Sequence, residues 1–268
     1  MATVYDRAVP TVGGKRSRRM TQIMDVLAER DAAGIDDLAR ELGVSTSTIR
    51  RDLAVLADQK LLTRVHGGAE LADTRQELPI HLRISAQEAK RAIAREVIKL
   101  IPRHPYAVGI GGGSTAVTVA RALALAGYDQ LRIVTNSLTV GQLITAYPEI
   151  NVIMTGGILR PESLELVGIL AENTFKAVNL GAAILGADGI TADSVTTHDE
   201  TEARTNRAMA SAAQRVIVVV DSSKIGRTTM ATMCPIDQVD VLVTDTDADL
   251  RALEKIRKAG VEVILAKA

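Results

Sequence analysis

Seven short apolar runs in the C-terminal two-thirds of the chain restrict its fold more than any other feature. They are Ala107–Ile110, Ile133–Thr135, Val152–Thr155, Ala182–Leu185, Val216–Val220, Val241–Thr244 and Val261–Leu265. Each reads as a strand buried on both faces, and the stretches between them have room for helices. Strands of this kind joined by helical crossovers predict a doubly wound, mostly parallel α/β, Rossmann-like domain. The 268 residues hold only four Tyr and one Phe, Phe175, so the core must be aliphatic. That scarcity also excludes the aromatic platforms on which single-stranded nucleic acid stacks. Cys234 is the only cysteine, which leaves neither a disulfide framework nor a thiolate metal cluster. The spacing of His66, His81, His104 and His198 matches no metal-ligand pattern. With no apolar run of about 18 residues, the expectation is a soluble, cytoplasmic chain with no membrane partner.

The N-terminal third follows a different period. Residues 1–14 have no periodicity and are expected to be a disordered arm; 15–72 read as a small helical domain, 73–87 as a linker containing Pro79, and 88–268 as the α/β domain. Met20, Ile23, Met24 and Leu27 recur at helical spacing between Arg18 and Arg30. A second helix is predicted from Ile35 to Leu42, with Asp36 and Asp37 in the first turn, where the helix dipole favours negative charge. Gly43 ends it and a third helix begins at Ser45. After Leu61 the chain turns extended through Leu62–His66, reverses at Gly67-Gly68 and resumes as Ala69-Glu70-Leu71, a two-stranded wing. A further helix is predicted from Ala86 to Leu100.

The segment Leu38–Leu53 has a physical reason at each step. Ala39 is small enough to let the third helix cross closely over the second. Gly43 takes the backbone conformation that separates the two helices. Ser45 can cap the third helix, and Val44 with Ile49 can form the hydrophobic staple that sets its angle. Ile49, Leu53 and Leu56 share one face. At about 100° per residue, Ser47, Arg51 and Ala54 point the other way, with Arg50 at the flank. Short hydroxyls at the N-terminal end with guanidiniums behind them suit a recognition helix in the major groove. An Arg can read guanine or clamp a phosphate, and either role is open to Arg50 and Arg51. The net charge is zero, but binding to phosphates depends on where charge sits: Lys15, Arg16, Arg18 and Arg19 form one cluster, Arg50 and Arg51 a second, and Arg64 a third. The candidate DNA contacts are Arg19, Ser45, Thr46, Ser47, Thr48, Arg50, Arg51, Arg64, His66 and Gly67.

Ser45–Leu53 followed by Arg64-Val65-His66-Gly67-Gly68-Ala69 resembles the winged-helix signature of the DeoR family of bacterial repressors, over residues 18–71. One departure is Lys60, where that family usually has Gly. The resemblance implies double-stranded operator DNA as a partner.

In the α/β domain the first strand runs into Gly109-Ile110-Gly111-Gly112-Gly113-Ser114-Thr115 and then a helix. Glycines let an anion approach the backbone, and a helix N-terminus supplies free N–H groups, so phosphate binding and a merely tight turn are the two readings. Gly109-x-Gly111-x-x-Ser114 is close to a dinucleotide fingerprint. However, the second strand ends in Thr135-Asn136-Ser137 without the acidic residue that holds a ribose, and no cofactor is expected. Thr155-Gly156-Gly157, Asp188-Gly189 and Asp221-Ser222-Ser223-Lys224 also follow apolar runs, at the sheet edge where such folds place ligands. Thr197 with Glu200 reads as a capping box, which assigns His198 to a helix start.

These segments resemble the DeoR sensor domain, itself similar to ribose-5-phosphate isomerase and glucosamine-6-phosphate deaminase, over roughly residues 88–246. The resemblance implies that Gly112, Gly113, Ser114 and Thr115, beside Gly111, hold the phosphate of a sugar or polyol. Asn136, Ser137, Gly156, Gly157, Asp188 and Lys224 would surround the rest. Many relatives carry Asp at Gly111 and Lys at Asn206, so this chain departs from them at both positions. The expected protein is a non-enzymatic repressor of a sugar or polyol operon, released from DNA by a phosphorylated sugar or polyol. The alternative is a phosphosugar isomerase with an accessory DNA-binding domain. One winged helix buries only about 600–1,000 Å² on DNA, so a homo-oligomer is expected.

Overall fold

The computed structural model describes residues 19, 20, 22, 23, 26, 27, 30, 32–58, 62–65, 67–71, 80–103, 106–128 and 130–267. The chain divides into two compact units, Met1–Gln87 and Glu88–Ala268. The expected arm at residues 1–14 lies outside the described residues.

In the first unit, residues 19, 20, 22, 23, 26, 27 and 30 are helical. They are followed by β1 (Ala32–Gly34), α1 (Ile35–Glu41), α2 (Thr46–Asp58), β2 (Leu62–Val65) and β3 (Gly68–Leu71). The three strands form an antiparallel sheet in the order β1-β3-β2. Ile23, Leu27, Leu38, Ile49 and Leu53 are fully buried and fill the space between helices and sheet. Gly43, at φ +64°, makes the turn between α1 and α2, and the Val44 N–H donates to the Ala39 carbonyl at 3.0 Å. A side chain there would be strained, because only glycine adopts this region freely.

The wing contains one strand more than its sequence suggests. β1 is a three-residue strand of Ala and Gly with no alternating pattern to mark it, and it pairs with β3 rather than with its chain neighbour. That pairing explains Gly68. A Cβ on Gly68 would stand 2.4 Å from the Ala33 carbonyl oxygen, whereas the turn conformation belongs to Gly67 at φ +84°. Gly68→Ala should therefore destabilise the first unit by about 1–3 kcal/mol, the usual cost of overpacking. Chemical denaturation followed by a probe in residues 32–71 would show it, and an unchanged midpoint would contradict the packing.

The second unit is built on a seven-stranded sheet in the order β15-β14-β12-β9-β4-β5-β6, parallel throughout. Its strands are β4 (Tyr106–Ile110), β5 (Leu131–Thr135), β6 (Asn151–Met154), β9 (Ala182–Leu185), β12 (Val216–Val219), β14 (Val241–Asp245) and β15 (Glu262–Ala266). All seven coincide with the apolar runs of the sequence. The helices are α3 (Ile80–Leu100), which belongs to this unit from Glu88 onward, α4 (Ser114–Leu125), α5 (Leu138–Ile144), α6 (Ile169–Lys176), α7 (Glu200–Ser211) and α8 (Leu250–Lys258). One core cluster contains Ile93 and Val97 of α3 with Val119 and Leu123 of α4; a second contains Phe175, Met209, Leu253 and Ile256 from α6, α7 and α8.

Helix α3 starts at Ile80, six residues earlier than the sequence suggests, so residues 80–87 of the expected linker are helical. Pro79 had marked the stretch as a break, but a proline just ahead of a helix start removes no helical hydrogen bond. Two small additions were not anticipated. The hairpin of β7 (Ile158–Arg160) and β8 (Glu165–Val167) follows β6, and β10 (Gly189–Ile190), β11 (Ser194–Thr197) and β13 (Ala231–Pro235) form a separate sheet.

Strand order reverses at β4. From there the chain moves through β5 to β6 on one side, then returns to place β9, β12, β14 and β15 on the other. The loops leaving β4 and β9 meet at the carboxyl ends of those strands, where the Gly111 N–H bonds the Ile184 carbonyl and a Cβ on Gly186 would stand 3.0 Å from the Gly112 carbonyl oxygen. This end of the sheet is the usual ligand position in such folds.

Candidate functional site: a DNA-reading helix and a ligand crevice

Helix α2 presents the face expected of it. Ser45 Oγ accepts the Thr48 N–H at 3.3 Å and so caps the helix. The same hydroxyl lies 2.9 Å from both Ser47 Oγ and Thr48 Oγ1, which gathers three hydroxyls at one end. Ile49, Leu53 and Leu56 are buried, whereas Ser47, Arg50 and Arg51 are exposed and Thr46 and Thr48 half-buried. Arg64 on β2 and Gly67 in the turn are exposed as well; His66 lies outside the described residues.

Arg19 was grouped with the DNA contacts by its charge, and the structure gives it a second task. Its Nε donates to Asp52 Oδ2 at 2.6 Å, and the Asp52 side chain is only 2% exposed. This ion pair ties residue 19 to the inner side of α2. Arg19, Asp52, Thr48 and Arg51 together line a pocket of about 220 Å³.

In the second unit the glycine loop leaves β4 at the switch point. Gly109 is explained by packing, since a Cβ there would stand 2.7 Å from Leu180 Cδ1 and 2.8 Å from Met209 Cγ. The Gly111 N–H donates to the Ile184 carbonyl of β9 at 3.0 Å, which binds the loop to the neighbouring strand. Gly113, at φ +88°, precedes α4, and no side chain caps that helix. Gly113 and Ser114 are exposed and Thr115 is buried, so the helix opens towards solvent at its N-terminus.

Gly112 departs from the expectation. Its N–H already donates to the carboxylate of Glu165 at 2.9 Å, and Glu165 leaves no room for a side chain at Gly112. Glu165 begins β8 and is 2% exposed. Asn136 Nδ2 reaches the same carboxylate oxygen at 3.3 Å. Burial first, and the Glu202 carboxylate second, push the Glu165 carboxyl up from 4.5 to about 7, against the hydrogen bonds from Gly112, Ser163 and Asn136. Neither Glu165 nor Glu202 stood among the sequence candidates. A charged residue inside Leu164-Glu165-Leu166-Val167 was the available signal.

Several other candidates have structural duties. Ser137 Oγ accepts the Val140 N–H and caps α5. Gly157, at φ +130°, must be glycine because a Cβ would meet the Val167 carbonyl at 2.7 Å, while Gly156 is exposed. Asp188 Oδ1 lies 3.8 Å from Lys224 Nζ, and Asp188 Oδ2 accepts the His198 N–H at 3.2 Å. The expected capping box of Thr197 and Glu200 is corrected. Asp199 caps α7 by accepting the Glu202 N–H at 2.8 Å, and Thr197 Oγ1 lies between Asp188 Oδ2 and Glu202 Oε1 at 3.0 and 2.8 Å. Thr197 ends β11, two residues ahead of the cap position held by Asp199. The two departures noted in the sequence face each other: Asn206 Oδ1 is 3.4 Å from the Cβ position of Gly111.

A capped, Arg-bearing helix on a winged fold, joined in one chain to a parallel α/β sheet, is the build of a DNA-binding transcriptional regulator with a sensor domain. The description "DeoR-like helix-turn-helix domain" matches residues 19–75, and "DeoR C terminal sensor domain" matches residues 85–246. The chain belongs to the DeoR family. It is 34% identical over 253 residues to the glycerol-3-phosphate regulon repressor of Escherichia coli K12, covering 94% of this chain and 99% of that protein. A protein of Escherichia coli O157:H7 named for transcriptional repression of the aga operon is 34% identical over 255 residues, 93% of each chain. Ribose 5 phosphate isomerase A from Neisseria gonorrhoeae shares 22% identity over 53% of each chain, with a TM-score of 0.37. A likeness of that size says nothing of chemistry.

Burial of Glu165 has a measurable consequence. Its pKa is raised on folding, so the group favours the folded state below about pH 4.5 and loses that contribution as pH rises through about 7. Urea denaturation from pH 4.5 to 8 should show Glu165→Gln gaining stability relative to the parent as pH increases. A difference that stays flat over this range would contradict the assignment.

Proposed function

We propose that this chain represses a sugar or polyol catabolic operon in the cytoplasm and leaves its operator when a phosphorylated sugar or polyol binds the second unit. The observation that carries the effector reading is the uncapped N-terminus of α4 at the strand-order reversal. The backbone N–H groups of Gly113, Ser114 and Thr115 meet no capping side chain there, and the helix dipole favours an anion. Gly112 supports this seat from behind, its own N–H being held by Glu165. Asp188 and Lys224 border the crevice on the β9 side and hold each other, which suits binding without turnover.

On the DNA side, Ser47 and Arg50 face base edges, and Arg51, Thr48 and Arg19 form a phosphate clamp around the pocket they line. Arg64 and His66 extend the contact through the wing. A single winged helix buries too little surface for operator affinities near ~10⁻⁸ M, so two or more copies act on repeated half-sites. A coupling of about 1–3 kcal/mol between effector and DNA changes operator affinity roughly 5- to 150-fold, which suffices for induction.

The test is gel-shift titration of the gene's own upstream DNA against a panel of phosphorylated sugars and polyols. Arg50→Ala should weaken operator binding at least tenfold and leave effector binding intact, and one effector should release the parent protein. Operator binding by Arg50→Ala at parental strength would rule out α2 as the reading helix. Operator binding insensitive to the whole panel would rule out a sugar-phosphate effector.

A further inference from the structure

Beside the proposed phosphate seat lie, among the described residues, a buried carboxylate with no cation at hand and two buried amide oxygens without a donor. Glu165 receives the Gly112 N–H, Asn136 Nδ2 and the Ser163 side chain, and among the described residues no cation is paired with it. Arg160, five residues away on β7, is engaged elsewhere, at 3.3 Å from Asp199 Oδ2 and 3.2 Å from Glu202 Oε2. Asn136 turns its nitrogen to Glu165, and its Oδ1, on a residue with no exposed surface, has no partner. Asn206, 4% exposed on α7, likewise has an Oδ1 without a partner. The Asn206 oxygen stands 3.4 Å from the Cβ position of Gly111, and the Glu165 oxygen 2.6 Å from that of Gly112. The Asn206 oxygen thus lies against Gly111, and the Glu165 carboxylate, bonded to Asn136, lies against Gly112.

Buried acceptors of this kind are destabilising unless something supplies their donors. A buried carboxylate stays ionised only beside a positive charge and otherwise takes up a proton, as the raised pKa of Glu165 reflects. A ligand hydroxyl gives one hydrogen and no charge. A protonated amine gives three hydrogens and the missing charge together. Accepting the phosphate seat at the N-terminus of α4, we propose that Glu165, Asn136 and Asn206 receive a cationic amino group on the same ligand, which makes the effector an amino-sugar phosphate. The phosphate meets the N–H groups of Gly113–Thr115, and the amine meets the oxygens next to Gly111 and Gly112. For a ligand to reach Glu165 the β7–β8 hairpin must give up the bonds from the Leu166 N–H to the Asn136 carbonyl and from the Leu138 N–H to the Leu164 carbonyl.

Matched pairs test this: calorimetric titration of the full chain with glucosamine, galactosamine and mannosamine 6-phosphates against the corresponding glucose, galactose and mannose 6-phosphates, with inorganic phosphate as a reference. At least one amine should bind ten times tighter than its hydroxyl partner. Glu165→Gln should remove that preference, and Asn206→Leu, which leaves the carboxylate in place, should reduce it. The preference should also shrink as pH falls from 8 to 6, because Glu165 takes up a proton; the charged groups around it are Glu202, Asp199 and Arg160. Equal affinities within every pair, or a preference retained in Glu165→Gln, would overturn the amine site and leave the phosphate seat standing. Absence of binding by every phosphorylated ligand and by inorganic phosphate would overturn both.

Discussion

Parallel strands buried on both faces can offer polar groups to a ligand only at their ends, and β4 is where that constraint acts. It lies between β9 and β5, the two directions in which the chain winds. The loop leaving it must turn sharply, stay close to β9 and start a helix at once. Glycine at 111, 112 and 113 meets these demands together. The Gly111 N–H is spent on β9, Gly112 admits the Glu165 carboxylate, and Gly113 takes the positive φ that frees the end of α4. The uncapped start of α4 and the buried acceptors beside it thus follow from one crowded turn.

The first unit solves a different problem with similar economy. A recognition helix must hold its angle while leaving one face empty for DNA. Ile49, Leu53 and Leu56 anchor the inner side, Ser45 closes the start, and the buried Asp52 ties α2 to Arg19. The exposed face is left with hydroxyls and two guanidiniums. A free face of this composition has little reason to persist in a purely structural bundle.

Much of this was legible in the sequence because burial on both faces writes continuous apolar runs. Strands β9, β12 and β14 are buried along their length, whereas the edge strands β6 and β15 carry similar runs but are only partly covered, which corrects the expectation of two-sided burial for them. The capped third helix was legible for a similar reason, since Gly43, Ser45 and the Ile49–Leu53–Leu56 face are local signals. What the sequence concealed depends on distant partners. Glu165 meets Gly112 across 53 positions, and Arg19 meets Asp52 across 33, so neither residue's surroundings announce its contact. β1 and the β7–β8 hairpin are too short for a pattern, and their existence rests on close approach to Gly68 and Gly157. Charge alone suggested DNA as the partner of Arg19, whereas its geometry pairs it with the buried Asp52 of α2.

The most direct test of the whole account is amide hydrogen exchange on the full chain, alone, with operator DNA, and with a phosphorylated ligand. Slower exchange across residues 45–57 on adding DNA, and across 111–117 on adding ligand, is the predicted result, with the ligand reversing the protection at 45–57. Protection by DNA outside the first unit, or by ligand away from the end of β4, would contradict it.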